Sequence, residues 1–477
     1  MKKICFTAIV MLAALATHAQ NTAQEFMEQQ LDGTFANCSY GAMAIYENGE
    51  VIASVNGDRR LNPASNMKML STAAALVTLG ADYRWETTLA YRGSIDGGVL
   101  DGDLYIIGGG DPMLGSNDRS AEPVATTFES WYRILQEAGI NRIEGNIYGD
   151  GSWLMGMREE PSWSHDDLGT YYGTCVSGLN FYENSIRFEA NSTGMKPGDA
   201  FTLQAEYPQA PWMEWSYNCT VGASGTGDSL YMFYDNNPVT GLVRGTYGPE
   251  KHTRIHFRNN HPERSLALEF ATWLKQAKGI ETSGEAIGIS DASDSRAARS
   301  LAASMHELGS TKSPSLATVI THTNQDSNNM YAEMLMRTIG MEKSGDSGIE
   351  ASRKAFADVI ARICGSAPSK ARLSIQDGSG LSLKNRFTPS FMCEFLRSMA
   401  RQDCFATYRN SLVKYSSRCY LKTGSFTGCR CLSGYILPSR PDGRTIIFCV
   451  MVNNSEMGVS AIDRQEKLLI DNLARLN

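Results

Sequence analysis

The chain reads as an α/β (α+β) protein in which an antiparallel sheet flanked by helices is assembled from both ends, around a large, mostly β insertion. Three observations predict this. A turn-punctuated pair of alternating strands near the N-terminus has no neighbouring sheet in sequence to join. Further strands and an amphipathic helix close the C-terminus. Between about residues 109 and 300 the texture shifts to Gly, Trp, Tyr, Asn and Asp with short alternating runs. A lone hairpin is marginal in water, so the two ends are expected to complete one sheet.

The opening "MKKICFTAIVMLAALATHA" has Lys2 and Lys3, about a dozen mostly apolar residues, and Thr17-His18-Ala19 as a small-x-small cleavage site. Residues 1–19 therefore read as a secretory signal peptide, and the exported chain is expected in the periplasm. After an N-terminal helix, "GAMAIYENGEVIASVNGDRRLNP" gives two strands joined at Glu47-Asn48-Gly49-Glu50. Asn62-Pro63 stops the strand and starts a helix, the run from Met67 to Leu79 suits burial, and Gly80 is a natural stop. Residues 84–108 look extended, with turns at Asp96-Gly97-Gly98 and Asp101-Gly102. "RIHFRN" suggests a strand, and "RSLALEFATWLKQAKGI" (264–280) an amphipathic helix ending at Gly279. From about residue 300 three stretches show helical spacing, before "CYLKTGSFTGCRCLSGYILP", "RTIIFCVMVNN" and a closing helix. The expected division is 20–85 with 300–477 as one discontinuous domain, and 86–299 as an insertion.

The formal charge of −7 without a basic run makes nucleic acid a poor partner. No stretch after the leader approaches the about 18 consecutive apolar residues of a membrane span, so no stable membrane insertion is expected after cleavage. Eleven cysteines less Cys5 of the leader leave ten, in no recognisable disulfide or metal framework. Disulfides and buried free thiols are both open, including for Cys429 and Cys431. His252 and His256 alternate on an apparent strand without a third ligand, so no metal is expected there. "IGGGDP" (107–112) lacks the spacing and following helix of a phosphate loop and reads as a tight turn.

Two segments fit Ser-x-x-Lys: Ser65-Asn66-Met67-Lys68 and Ser411-Leu412-Val413-Lys414. On a helix, positions i and i+3 share a face, so the Lys68 amine can reach the Ser65 hydroxyl. Near a helix N-terminus the dipole disfavours a cation, and partial burial would lower the lysine pKa further, making it a base for a weak nucleophile. The backbone N–H of Ser65 is placed to face an oxyanion. Ser411 and Lys414 precede a strand and lack this setting. For residues 65 and 68 the competing reading is a capping serine and a surface lysine. Ser327-Asn328-Asn329 borders an apolar helical face and could simply be a cap. Lys422-Thr423-Gly424 lies in a strand of small residues, where a lysine and a hydroxyl form a carboxylate clamp and glycine permits close approach. Together, in order, the three make the Ser-x-x-Lys, Ser-x-Asn, Lys-Thr-Gly signature of penicillin-recognising serine enzymes.

On those motifs, with "DGSGLSLKNRFTP" (377–389) and "GGGDPML" (108–114), the chain resembles the D-alanyl-D-alanine carboxypeptidases/endopeptidases of the penicillin-binding protein 4 type. The long gap between Ser65 and Ser327 is shared with that family, which inserts two domains there. The resemblance implies a penicillin-recognising, transpeptidase-like catalytic domain acting on the D-Ala-D-Ala end of peptidoglycan stem peptides, with β-lactams as covalent inhibitors. It implies Ser65 as nucleophile, Lys68 as its base, and Ser327 as the proton relay to the leaving amine. Asn329 would hold Lys68 and the substrate amide, and Lys422 would support Ser327. Thr423 and Ser425 would bind the terminal carboxylate beside Gly424, and the Ser65 and Ser425 amides would form the oxyanion hole. Asp150, in "GNIYGDGSWL" (145–154), would bind the amino group of a diamino acid, although a turn-capping aspartate is as good a reading. Asp377 and Ser379 would shape their loop rather than react. No metal or organic cofactor is implied. A β-lactamase with the same acylation chemistry, lacking an identifiable Glu to activate water, and a catalytically silent cell-wall binding protein are the alternatives.

Overall fold

A computed structural model describes residues 23–35, 37–233, 237, 239–290 and 305–476. The leader assigned to residues 1–19 lies outside these. The chain forms two compact units, one from the described residues of Met1–Ala81, Ile320–Ser327 and Arg353–Asn477, the other from Asp82–Val319 and Asn328–Ser352.

The first unit is built on a six-stranded antiparallel sheet. Its order is Val413–Lys414, Cys419–Phe426, Cys429–Ile436, Ile446–Asn453, Ser39–Tyr46, Val51–Val55. Both ends of the chain thus meet in one sheet, as the unpartnered hairpin required, with Ser39 opposite Asn453 and Tyr46 opposite Ile446. The hairpin turn closes through the Tyr46 amide on Glu50 O (2.9 Å), with Gly49 at φ +94°. Every residue of Ile446–Asn453 is buried, which is why that segment is apolar without alternation. On one face, Met27, Leu31 and Phe35 pack with Ile462, Leu469 and Leu473 of the closing helix Val459–Ala474 against Ala42, Leu432, Phe448 and Val450. The other face carries the helix Pro389–Met399, with Tyr435 OH donating to Leu396 O (2.9 Å). Burial of these apolar side chains, at about 25 cal/mol per Å², is the main term holding the unit together.

Among the described residues the second unit contains three sheets. The largest runs Ala286–Ile289, Ile147–Asp150, Val99–Gly108, Glu86–Asp96, His306–Lys312, with Arg142–Ile143 beside Val99–Gly108. It is backed by helices Val124–Glu137 and Pro262–Trp273 through Phe128, Trp131, Leu266 and Phe270. A four-stranded and a three-stranded sheet share a core of Phe188, Phe201, Val243 and Tyr247. The turn expected at Asp101-Gly102 is not one. Gly102 lies inside Val99–Gly108 opposite Gly93, where a Cβ would stand 1.9 Å from Arg92 O, so the pair of glycines lets two strands cross closely rather than reverse. Helix Val124–Glu137 was not foreseen within the mostly β middle. Among the described residues no helix is long and apolar enough to cross a membrane.

Candidate active site

The turn that carries Ser65 is fixed before its helix begins. Asn62 Oδ1 accepts from the Ala64 amide (2.8 Å), the Asn62 amide donates to Asn453 Oδ1 (2.6 Å), and Asn453 Nδ2 donates back to Asn62 O (3.0 Å). Ala64 is held at φ +46°, a conformation that costs a residue with a Cβ about 1–3 kcal/mol and persists only when its surroundings impose it. Ser65 follows in a single 3₁₀ turn, Ala64–Asn66, which runs on into helix Met67–Leu79 and stops at Gly80, φ +82°. Asn66 Nδ2 donates to Ser433 Oγ (2.9 Å), tying the turn to the sheet.

Lys68 is fully buried, and its Nζ donates to Ser65 Oγ (3.0 Å) and to Ser379 O (2.8 Å). The i, i+3 geometry read from the sequence is therefore made. The second partner comes from the loop Asp377–Asn385, which Asp377 organises. Its carboxylate accepts from the amides of Gly380 (2.8 Å) and Ser382 (2.6 Å) and from Asn385 Nδ2 (2.7 Å), while Ser71 Oγ donates to Gly378 O (2.5 Å). Gly380, at φ +89°, sits where a Cβ would be 1.9 Å from Ala64 O. The loop is thus pressed against the serine turn.

Strand Cys419–Phe426 approaches the same turn from another side. A Cβ on Gly424 would stand 2.8 Å from the Ser65 nitrogen and 2.9 Å from that of Asn66, so only glycine allows this contact. Two residues earlier, the buried Lys422 donates from Nζ to Ser327 Oγ (2.9 Å) and Thr423 O (2.7 Å). Burial, then the nearby charge of Lys68 and then that of Arg430, push the Lys422 ammonium well below its ordinary pKa, and Asp326 opposes them. Ser327 itself has φ +59° and stands in the break between helices Leu316–Gln325 and Asn329–Ser344. Strand Val413–Lys414 covers only Leu421 and Tyr420, so among the described residues the outer edge is unpaired from Lys422 on. The Tyr415 amide meets Cys419 O (2.9 Å) on that side, and the two-residue alternation turns the main-chain groups of Thr423 and Ser425 to the same open edge. The Ser425 side chain is exposed and that of Thr423 half-buried.

This geometry has counterparts. The profile of the D-Ala-D-Ala carboxypeptidase 3 (S13) family matches residues 24–413. The chain belongs to that family. Membership makes it an enzyme of the serine-type D-alanyl-D-alanine carboxypeptidase class. It is 25% identical over 454 residues to a D-alanyl-D-alanine carboxypeptidase of Actinomadura sp., covering 88% of this chain and 78% of the relative. It is 27% identical over 442 residues to penicillin-sensitive carboxypeptidase A of Dictyostelium discoideum, covering 86% and 81%. Its fold is similar to crystalline penicillin-binding protein 4 of Haemophilus influenzae, with a TM-score of 0.76 at 19% identity, over 94% of this chain and 99% of that one.

Other residues of this S13 carboxypeptidase sort by their contacts. Ser411 is fully buried, donating to Tyr408 O (2.6 Å) and accepting from Asn324 Nδ2 (2.8 Å), while Lys414 points to solvent, so the second Ser-x-x-Lys is structural. Of the polar triplet, Asn328 is the helix cap, its Oδ1 accepting from the Tyr331 amide (3.1 Å). Asn329 belongs to the second unit, where its Nδ2 donates to Tyr172 O (2.8 Å). Asp150 is in that unit too, buried at the end of Ile147–Asp150, with Oδ1 accepting from the Ser152 amide (2.8 Å) as a turn cap does. All ten described cysteines are free thiols. Cys429 and Cys431 do share a face, with sulfurs in hydrogen-bond contact at 3.9 Å and no disulfide between them, and burial pushes the Cys431 thiol well up. Sequence reasoning missed Asn62, read only as a strand stop, although Asn before Pro is itself a turn-capping signal. It placed Ser379 in a loop-shaping role without foreseeing that its carbonyl would accept from Lys68 Nζ.

Proposed function

We propose that Ser65 is the acylating nucleophile of a DD-peptidase that trims or cleaves peptidoglycan stem peptides. The observation that supports this most is the pair of buried lysines, each donating to a serine hydroxyl: Lys68 to Ser65 at 3.0 Å and Lys422 to Ser327 at 2.9 Å. In this reading Lys68 takes the Ser65 proton as Oγ attacks the carbonyl of the penultimate D-alanine. The oxyanion is met by the amides of Ser65 and Ser425, at a helix start and an open strand edge. Ser327, supported by Lys422, passes a proton to the leaving D-alanine amine as the C–N bond breaks, and water later releases the acyl group. Thr423 and Ser425 take the terminal carboxylate beside Gly424, whose missing Cβ lets the strand close on Ser65. The roles named above for Asn329 and Asp150 stay with the family resemblance. We further propose that the chain is exported, its leader removed near residue 19, and that it acts in the periplasm.

A fluorescent penicillin followed over time tests this. Stable labelling that disappears in Ser65→Ala is expected. Rapid loss of label from the intact protein would indicate a β-lactamase instead, and no labelling would sink both enzyme readings. Pentapeptide-bearing and cross-linked muropeptides then separate carboxypeptidase from endopeptidase action.

A further inference from the structure

Within the second unit, Glu183 grips the start of helix Asn329–Ser344 from outside it. Its Oε2 accepts from Asn328 Nδ2 (3.1 Å) and its Oε1 from Ser116 Oγ (2.6 Å). The buried Tyr331 OH donates into the latter pair, 3.0 Å from Ser116 Oγ and 3.2 Å from Glu183 Oε1. Burial, then the Glu183 charge, push that hydroxyl well above its ordinary pKa, so it stays a donor. The carboxylate thus meets donors at both oxygens, a task an amide could fill at only one. Asn328 caps the helix through Oδ1, so Glu183 holds the cap by the other end of the same amide, with its charge at the helix end that favours it. The next residue is held separately, Tyr172 O accepting from Asn329 Nδ2 (2.8 Å). A carbonyl can only accept, so this contact fixes which end of the Asn329 amide faces it.

Backbone strain lies at the same place. Tyr182, Glu183 and Asn184 stand at φ +53°, +56° and +50°, three consecutive residues in a region that residues with a Cβ enter singly. Such a run persists only where its surroundings impose it. The fully buried Asn184 does so, its Oδ1 accepting from the Phe181 amide (3.0 Å) and its Nδ2 donating to Cys175 O and Asn180 Oδ1 (both 2.8 Å). The outcome of this turn is one partly buried carboxylate directed at Asn328.

We propose that Glu183 is a positioning residue for the segment Ser327-Asn328-Asn329: its carboxylate fixes Asn328, and with it the backbone from which the Ser327 and Asn329 side chains project. The proposal rests on the DD-peptidase reading, in which Ser327 passes the proton to the leaving amine and Asn329 holds the substrate amide. Glu183 acts on neither the substrate nor the reacting atoms. It acts through the residue between the two that do.

The test is the time course of labelling by a fluorescent penicillin, on the full chain. A misplaced site labels slowly but to completion, whereas misfolding of part of the sample lowers the final extent and leaves the rate of the rest unchanged. Glu183→Ala should lower the second-order rate by roughly 10- to 100-fold at full final extent, the scale of a misplacement near 1 Å. Glu183→Gln turns a donor toward a donor at one end of the group and should slow labelling as well. Adding Asn328→Asp to Glu183→Gln reverses the polarity of that bond, the new amide donating to a new carboxylate that still caps the helix. The rate of this double variant should return to within roughly fivefold of wild type, as expected of two residues coupled by one contact. A wild-type rate in Glu183→Ala, or a double variant no faster than Glu183→Gln, would overturn the proposal. Should Glu183→Ala fail to fold, Glu183→Gln and the double variant decide by the same criterion. A wild-type chain that takes up no penicillin defeats the underlying reading, a result distinct from slow labelling confined to the variants.

Discussion

Gly424→Ala probes the approach of strand Cys419–Phe426 to the turn that carries Ser65. The added Cβ would lie 2.8 Å from the Ser65 nitrogen and 2.9 Å from both the Asn66 nitrogen and Pro63 O. Ordinary contact needs about 3.5 Å, so strand and turn must part by about 0.7 Å. Neither can move freely. The strand is paired along its whole length with Cys429–Ile436, and the turn is clamped by Asn62, Asn453 and Asn66. Overpacking of this kind costs about 1–3 kcal/mol, a loss of a few degrees in melting temperature that leaves the fold intact. Catalysis should suffer more, because the displaced pair includes both proposed oxyanion donors, and a misplacement near 1 Å can cost about 100-fold. The second-order rate of labelling by a fluorescent penicillin is expected to fall by roughly 10- to 100-fold while the circular dichroism spectrum is retained. Labelling at the wild-type rate would show that the strand does not set the position of Ser65.

Lys68→Ala should reduce acylation by roughly 10²- to 10⁴-fold, the usual contribution of a general base, and a normal acylation rate would show that the base is misassigned. Asp377→Asn places an amide donor among three donors that now meet a carboxylate, so a clear drop in thermal stability is expected, with slower acylation as the Ser379 carbonyl loosens from Lys68. A melting curve that overlays wild type would refute that role for Asp377. Glu466 gives a pH signature. Its folded carboxyl, at about 8, lies above the ordinary 4.5, so the stability it contributes is fully present below about pH 4.5 and is lost as pH rises through 8. Glu466→Gln should flatten the fall in melting temperature between pH 5 and 9, and parallel curves for the two proteins would contradict it.

The catalytic sheet was legible because its logic is local at each end. The Glu47–Glu50 turn, the Met67–Leu79 helix with its Gly80 stop, and the closing strand stretches carry strong periodicity or turn chemistry, although the first of those stretches reads as one strand and is a hairpin. What sequence spacing could not show is contact across hundreds of residues. The clamp of Asn62 on Asn453 and the grip of Ser379 O on Lys68 each depend on backbone groups brought together by the fold. Main-chain carbonyls leave no trace in residue type. The Gly93–Gly102 crossing was misread for a related reason, since a glycine marks relief from a Cβ without saying whether a turn or a close neighbour demands it. Helix Val124–Glu137 was overlooked because its buried Phe128, Trp131 and Leu135 sit among threonines and aromatics that also suit strands.

The pairing of Ser39 with Asn453 has a consequence for the order in which the enzyme becomes competent. Strand Ile446–Asn453 lies between the hairpin that leads to Ser65 and the two strands that carry and support Lys422. A growing chain therefore holds Ser65 for most of its synthesis without the strand that joins the two halves of the sheet, and without the asparagine that clamps the serine turn. Such distant pairing is slow to form and leaves sheet edges open in the meantime. A product that ends before residue 446 would keep Ser65, Lys68, Ser327 and Lys422 in its sequence but would have nothing to bring them into register.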